Sequence, residues 1–307
     1  MSIPDITSTP SDETKSVLEV ETAGTEENRF MRFLRRTPIH IIIFIFVAIW
    51  IEPTVALLVS SFRPASLVAT TGWWTAFSPA VFTIDLYRQA ITANGMGQSF
   101  INSLFISIPA TVIPIMVAAF AAYAFAWMEF PGRNMLFVIV VGLLVVPLQM
   151  TLIPVLRIYQ RFHLAGTFPG IWLAHTAYGL PFAVYLLRNF FGTLPSEMLE
   201  SAYLDGASGF TAFFQLVLPL SVPALASLAI FQFMWVWNDL LVALIYLGGY
   251  PSVAPMTVTI SNLVNSLGGN WQVLTAAAFI SMLLPLLIFF SLQRYFVSGI
   301  LAGSVKG

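Results

Sequence analysis

The sequence predicts an all-α membrane protein with six transmembrane helices. Apolar residues make up 58% of its 307 residues, where a soluble domain holds about 45–50%. Charged residues make up only 9%, too few to clothe a water-facing surface of that size. Six stretches approach or exceed the roughly 20 apolar residues that a helix needs to cross a bilayer.

The predicted spans follow in order: 39–62, 100–128, 135–156, 170–191, 222–247 and 274–296. Most contain proline: Pro53 in the first, Pro109 and Pro114 in the second, Pro147 and Pro154 in the third, Pro181 in the fourth, Pro285 in the sixth. Pro223 opens the fifth at a helix-start position that tolerates it. Prolines inside spans require neighbouring groups to satisfy the freed backbone carbonyls. Residues 1–28 differ from the rest. They hold seven of the fourteen acids and one lysine without apolar periodicity, the pattern of a disordered acidic tail rather than of a signal peptide.

Lysine and arginine set the orientation. With the N-terminus inside, nine basic residues fall on the cytoplasmic side (Lys15, Arg29, Arg32, Arg35, Arg36, Arg133, Arg188, Arg294, Lys306) and four outside (Arg63, Arg88, Arg157, Arg161). Both termini are then cytoplasmic, and the loops 63–98 and 248–273 are external. The resulting organisation is a tail 1–28, a first helix with an external loop 29–98, a core 99–296 containing a loop 193–221, and a C-terminal tail 297–307.

The composition also excludes functions. A net charge of −1 speaks against nucleic acid as a partner. The absence of cysteine removes thiolate chemistry and Cys-ligated metals, and three scattered histidines (His40, His163, His175) make no metal site. The two lysines, Lys15 and Lys306, stand in no phosphate-cradling Gly-rich loop, so any ATP and magnesium belong to another subunit. No nucleophile–base pair marks an enzyme.

One polar segment interrupts this apolar chain. "TLPSEMLESAYLDGASGFTAFFQLVLPLSVP" (193–223) reads as two short helices. Ser196 is the expected N-cap of the first, with Leu199, Ala202 and Tyr203 on one face. Gly206 is the expected positive-φ stop and Ser208 the cap of the second. Small residues (Ser201, Ala202, Ala207) stand beside acids (Glu197, Glu200, Asp205). A membrane-surface helix is usually basic, so this one suits insertion into a groove on a protein partner.

"ESAYLDGA" followed by "LVLP" resembles the EAA motif of permease subunits of bacterial ABC importers, on Glu200, Ser201, Ala202, Gly206, Leu216, Leu218 and Pro219. Ser201 departs from the family's alanine and stays small. "WNDLLVAL" (237–244), "FINSLFIS" (100–107) and "LQRYFVSGILAGSVKG" (292–307) are similar to the MalG-like, sugar-importing branch. "LIYLGGYPSVAPMTVTISNL" adds a likeness to α-glucoside-type permeases. The resemblance covers residues 38–307. It implies the type I importer (MetI-like) permease fold, with Glu197 to Pro219 as a cytoplasmic coupling helix docking on an ATPase. It implies as partners a MalF-like second permease, two ABC ATPase subunits that bind ATP and Mg, and an extracytoplasmic sugar-binding protein. The complex would sit in the lipid bilayer of a bacterial cytoplasmic membrane. It further assigns Gly303, Ser304, Val305, Lys306 and Gly307 to contact with the ATPase dimer. Maltose, trehalose and glucosylglycerol are all candidate cargoes.

For the path, Gln232, Trp235 and Asn238 share one helical face at i, i+3 spacing. Their amide and aromatic groups suit a sugar, and lipid or interface packing suits the tryptophan equally. Gln149 and Tyr178 are polar at membrane depth, as path groups or as inter-helix hydrogen bonds. Asp239 is a functional acid or, as favoured, a group that caps or cross-links helices. The alternative function is an ion-coupled secondary carrier, which would need a membrane ion site and an inverted repeat.

Overall fold

The computed structural model describes residues 39–78, 80–93, 95–263 and 271–304. The acidic tail 1–28 and Val305, Lys306 and Gly307 lie outside them. The chain falls into two compact units, Met1–Leu57 and Leu58–Gly307. Four helices are long and apolar enough to cross a membrane, and six if each of two bent pairs counts as one span.

Helix α1 is Ile39–Ser61. In the second unit, α2 (Ala65–Thr70) and α3 (Asp85–Ala93) lead to α4 (Met96–Trp127). The buried Arg63 organises this connection. It donates from Nη1 to Gly72 O at 2.9 Å and from Nη2 to Thr71 Oγ1 at 2.7 Å and Thr75 Oγ1 at 3.1 Å. Several neutral acceptors thus stand in for a carboxylate partner.

The expected third span is not one straight helix. It divides into α5 (Arg133–Gly142) and α6 (Leu148–Arg161), bent by 102°. Pro147 has no N–H to continue the ladder and disfavours helical backbone at Val146, whose ψ is 116°. The fourth span, α7 (Phe168–Phe191), starts where Thr167 accepts from Gly170 N.

Helix α8 (Ser196–Leu204), α9 (Gly209–Ala212), a π-helical turn Phe213–Val217 and α10 (Leu218–Leu220) form the connecting segment. The expected fifth span is also interrupted. Helix α11 (Val222–Trp237) stops, and α12 (Leu241–Leu247) restarts. Beyond it, the expected external loop carries a helix that sequence periodicity did not mark, α13 (Met256–Leu263). It returns to α4: Met256 N donates to Ser103 Oγ at 2.8 Å, and Asn102 Nδ2 to Ala254 O at 3.0 Å. The last helix, α14, runs Trp271–Ser304, so residues 297–304 continue it as helix beyond the apolar span Trp271–Ser291.

Helices α4 and α7 make the most extensive pairing. Small residues are buried along both: Ala118 and Ala122 of α4 share one cluster with Ala183 of α7, and Ala110 shares another with Ala174. Lipid supplies no hydrophobic drive between helices, so close backbone approach and dispersion must hold them. The prolines add a second device. Pro109, Pro114 and Pro285 free the carbonyls of Phe105, Ala110 and Ser281. Each freed carbonyl accepts from another helix: Trp172 Nε1 to Phe105 O at 2.9 Å, Gln232 Nε2 to Ala110 O at 3.0 Å, Trp237 Nε1 to Ser281 O at 2.9 Å. These bonds fasten α4 to α7 and α11, and α11 to α14.

Candidate functional site

The α8–α10 segment is ordered by its own sequence. Pro195, not Ser196, occupies the N-cap, and no side chain caps α8 there; Ser196 is its first helical residue. The C-terminus closes as a Schellman motif: Ala207 N donates to Ala202 O at 2.9 Å and Gly206 N to Tyr203 O at 3.0 Å. Gly206 has φ +86°, where a side chain would be strained. Ser208 then caps α9, accepting from Thr211 N at 3.2 Å.

Glu197, Glu200, Ser201, Asp205 and Gly206 are exposed together, as the docking reading requires, and Pro219 is exposed farther on. Ala202, Ala207 and Leu218 are half-buried instead: Leu199 is the buried anchor, and the helix face beside it turns inward. Two apolar residues outside the expected docking set are exposed, Leu204 at 88% and Phe210 at 72%. Tyr123 on α4 was passed over. Its hydroxyl lies 3.0 Å from the Tyr203 hydroxyl and 3.2 Å from Gly209 O, tying the turn to the bundle. No local pattern marks a tyrosine whose partner is 80 residues away.

A second site lies within the helices. Tyr178, Gly179, Phe182, Phe231, Gln232 and Trp235 line a cavity of about 260 Å³. Three of the expected path residues therefore come together from α7 and α11. The Tyr178 hydroxyl is engaged behind the wall, 2.9 Å from Thr151 Oγ1 and 2.7 Å from Tyr246 OH, the inter-helix bonding expected as the alternative to a path role. Gln232 presses on α7 where a Cβ at Gly179 would sit 2.5 Å from its Oε1.

Asn238 and Gln149 do not join this wall. α11 ends at Trp237, which breaks the expected helical face, and Asn238 donates to Met234 O at 2.8 Å. Gln149 is exposed in the first turn of α6, beyond the bend at Pro147. Asp239 is a cap, as expected: its carboxylate accepts from Val242 N at 3.1 Å and Ala243 N at 2.8 Å. Gly303 and Ser304 belong to α14. Among the described residues no group of three or more His, Cys, Asp or Glu could hold a metal.

A many-span helical bundle with an aromatic-lined cavity and an exposed capped turn fits a membrane transport component. Residues 97–301 match the family of binding-protein-dependent transport system inner membrane components, and the chain belongs to that family. It is 59% identical over 283 residues to the osmoprotective compounds uptake permease protein GgtD of Synechocystis, covering 91% of this chain and 95% of that protein. It is 57% identical over 240 residues to the alpha-glucoside transport system permease protein AglG of Rhizobium meliloti, covering 76% of this chain and 63% of that protein. A crystal structure of a bacterial ABC transporter importing the acidic polysaccharide alginate shares the fold, at TM-score 0.69 and 17% identity over 94% of this chain and 100% of that one. The chain is thus a multi-pass permease subunit of an ABC importer of the inner membrane, with the all-α fold expected for it.

Proposed function

We propose that this chain and a second, MalF-like permease form the path for a sugar delivered by an external binding protein. Two partner ATPases bind ATP and Mg and drive the cycle. The cargo class is α-glucosides or small glucosyl compounds. That choice is supported by the high identity to an α-glucoside and an osmoprotectant permease. A cavity lined by the rings of Trp235 and Tyr178 supports it too, since sugars pack against aromatic faces.

The coupling element is α8 with its turn. The observation that carries this is the exposure of Leu204 and Phe210 amid Glu197, Glu200 and Asp205. Exposed apolar groups rimmed by polar ones mark protein-docking surfaces. ATP closes the ATPase dimer, α8 follows its groove, and the helices rock between inward- and outward-facing states. Both termini lie in the cytoplasm, and residues 303–307 reach the ATPase dimer. Deleting them lowers coupled ATPase activity, read with purified complex.

The test is co-purification from the native membrane, followed by uptake of labelled maltose, trehalose and glucosylglycerol into proteoliposomes. The wild-type chain is expected to bring an ATPase with it. A Glu200→Lys, Leu204→Asp variant is expected to lose it while still inserting. Transport by a chain that purifies alone in both forms would return the secondary-carrier reading.

A further inference from the structure

His175 lies on α7, is fully buried, and belongs to none of the path residues so far named. It touches three parts of the transport wall at once. Its ring meets the Trp235 indole edge-on, with centroids 5.2 Å apart and planes at 88°. Its Nε2 stands 3.7 Å from Asp239 Oδ2. Its carbonyl oxygen lies 3.5 Å from Gln232 Nε2. Trp235 and Gln232 line the cavity, and Asp239 sits at the interruption between α11 and α12.

That interruption is a built feature. Asp239 caps α12 with both carboxylate oxygens, and its own carbonyl accepts from Thr257 Oγ1 at 2.6 Å. The break is thereby tied to α13 as well. Neither ring nitrogen of His175 has a hydrogen-bond partner. A buried polar ring left unsatisfied is costly, and packing alone would be served better by a phenyl or leucyl group. An imidazole here keeps an aromatic edge for the indole and a polar edge for the carboxylate.

We infer that His175 is a positioning residue for the cargo. It holds the Trp235 ring at its cavity angle. The cargo never meets the imidazole; His175 acts through Trp235. The inference rests on the sugar-importer reading.

Selectivity is the readout, because a merely structural residue would lower all transport alike. Full complex in proteoliposomes is given binding protein loaded with an α-linked glucose disaccharide or trisaccharide, and the ratio of the two uptake rates is measured. His175→Gln, which loses the ring, is expected to change that ratio by about threefold, the scale of one aromatic pair. His175→Phe, which keeps the ring edge, is expected to leave it within about twofold of wild type. In a Trp235→Ala background, His175→Gln is expected to change the ratio no further.

An unchanged ratio in His175→Gln, an effect that persists without Trp235, or failure of both single variants to assemble each overturns the inference. Wild-type complex that imports neither sugar under ATP would instead sink the sugar-importer reading, and the two failures are told apart by that control.

Discussion

The α8–α10 turn and the α7–α11 cavity wall are built in opposite ways. The turn is held by bonds that reach a few residues: Gly206 N to Tyr203 O, Ala207 N to Ala202 O, Thr211 N to Ser208 Oγ. The wall is held by bonds that cross between helices: Gln232 to Ala110 O spans 122 residues and Tyr178 to Tyr246 spans 68. A surface that must enter a partner's groove benefits from a shape it owns before meeting that partner. A wall that must open and close has its shape set by neighbours that can move against one another. The difference assigns short-range bonds to the coupling end and inter-helix bonds to the path.

The largest expected effect breaks the turn. Gly206→Val places a β-branched residue at φ +86°. A left-handed conformation costs an ordinary residue roughly 1–2 kcal/mol, so ATP-driven uptake should fall by about tenfold. Membrane insertion, followed by protease protection of the spans, should be unchanged because nothing lies within 4 Å of a Cβ there.

A smaller effect tests the bundle. Trp237→Phe keeps a ring beside Phe100 and Phe233 but removes the donor to Ser281 O. Since Pro285 leaves that carbonyl without an intrahelical donor, stability should drop by about 1 kcal/mol. Adding Pro285→Ala should recover most of the loss, because residue 285 then supplies its own N–H. Thermal unfolding of the detergent-solubilised complex reads both changes.

The smallest expected effect lies where the turn meets α4. Tyr123→Phe removes the hydroxyl shared by Tyr203 and Gly209 O and leaves the ring on Phe213. A bond of this kind is worth about 1 kcal/mol or less, so coupled ATPase activity should fall about twofold. An effect as large as that of Gly206→Val would show that the turn depends on α4 as much as on its own backbone.

The sequence by itself determined the membrane class, the approximate positions of the apolar helices and the local chemistry of the coupling turn. Each of these is written within a few residues: long apolar runs, a Gly after a short helix, a Ser before the next. Asp239 was legible as a cap for the same reason. Tertiary structure decided the rest. It bent the third span at Pro147 and interrupted the fifth after Trp237, so that Asn238 left the wall that spacing had given it, and Gln149, expected as a polar group at membrane depth, stands exposed beyond the bend. It paired Trp172, Gln232 and Trp237 with carbonyls freed by prolines on other helices, a match that needs both chains of residues in place. It also set His175 between Trp235 and Asp239. Helical periodicity gives which residues share a face, but only packing decides what that face meets.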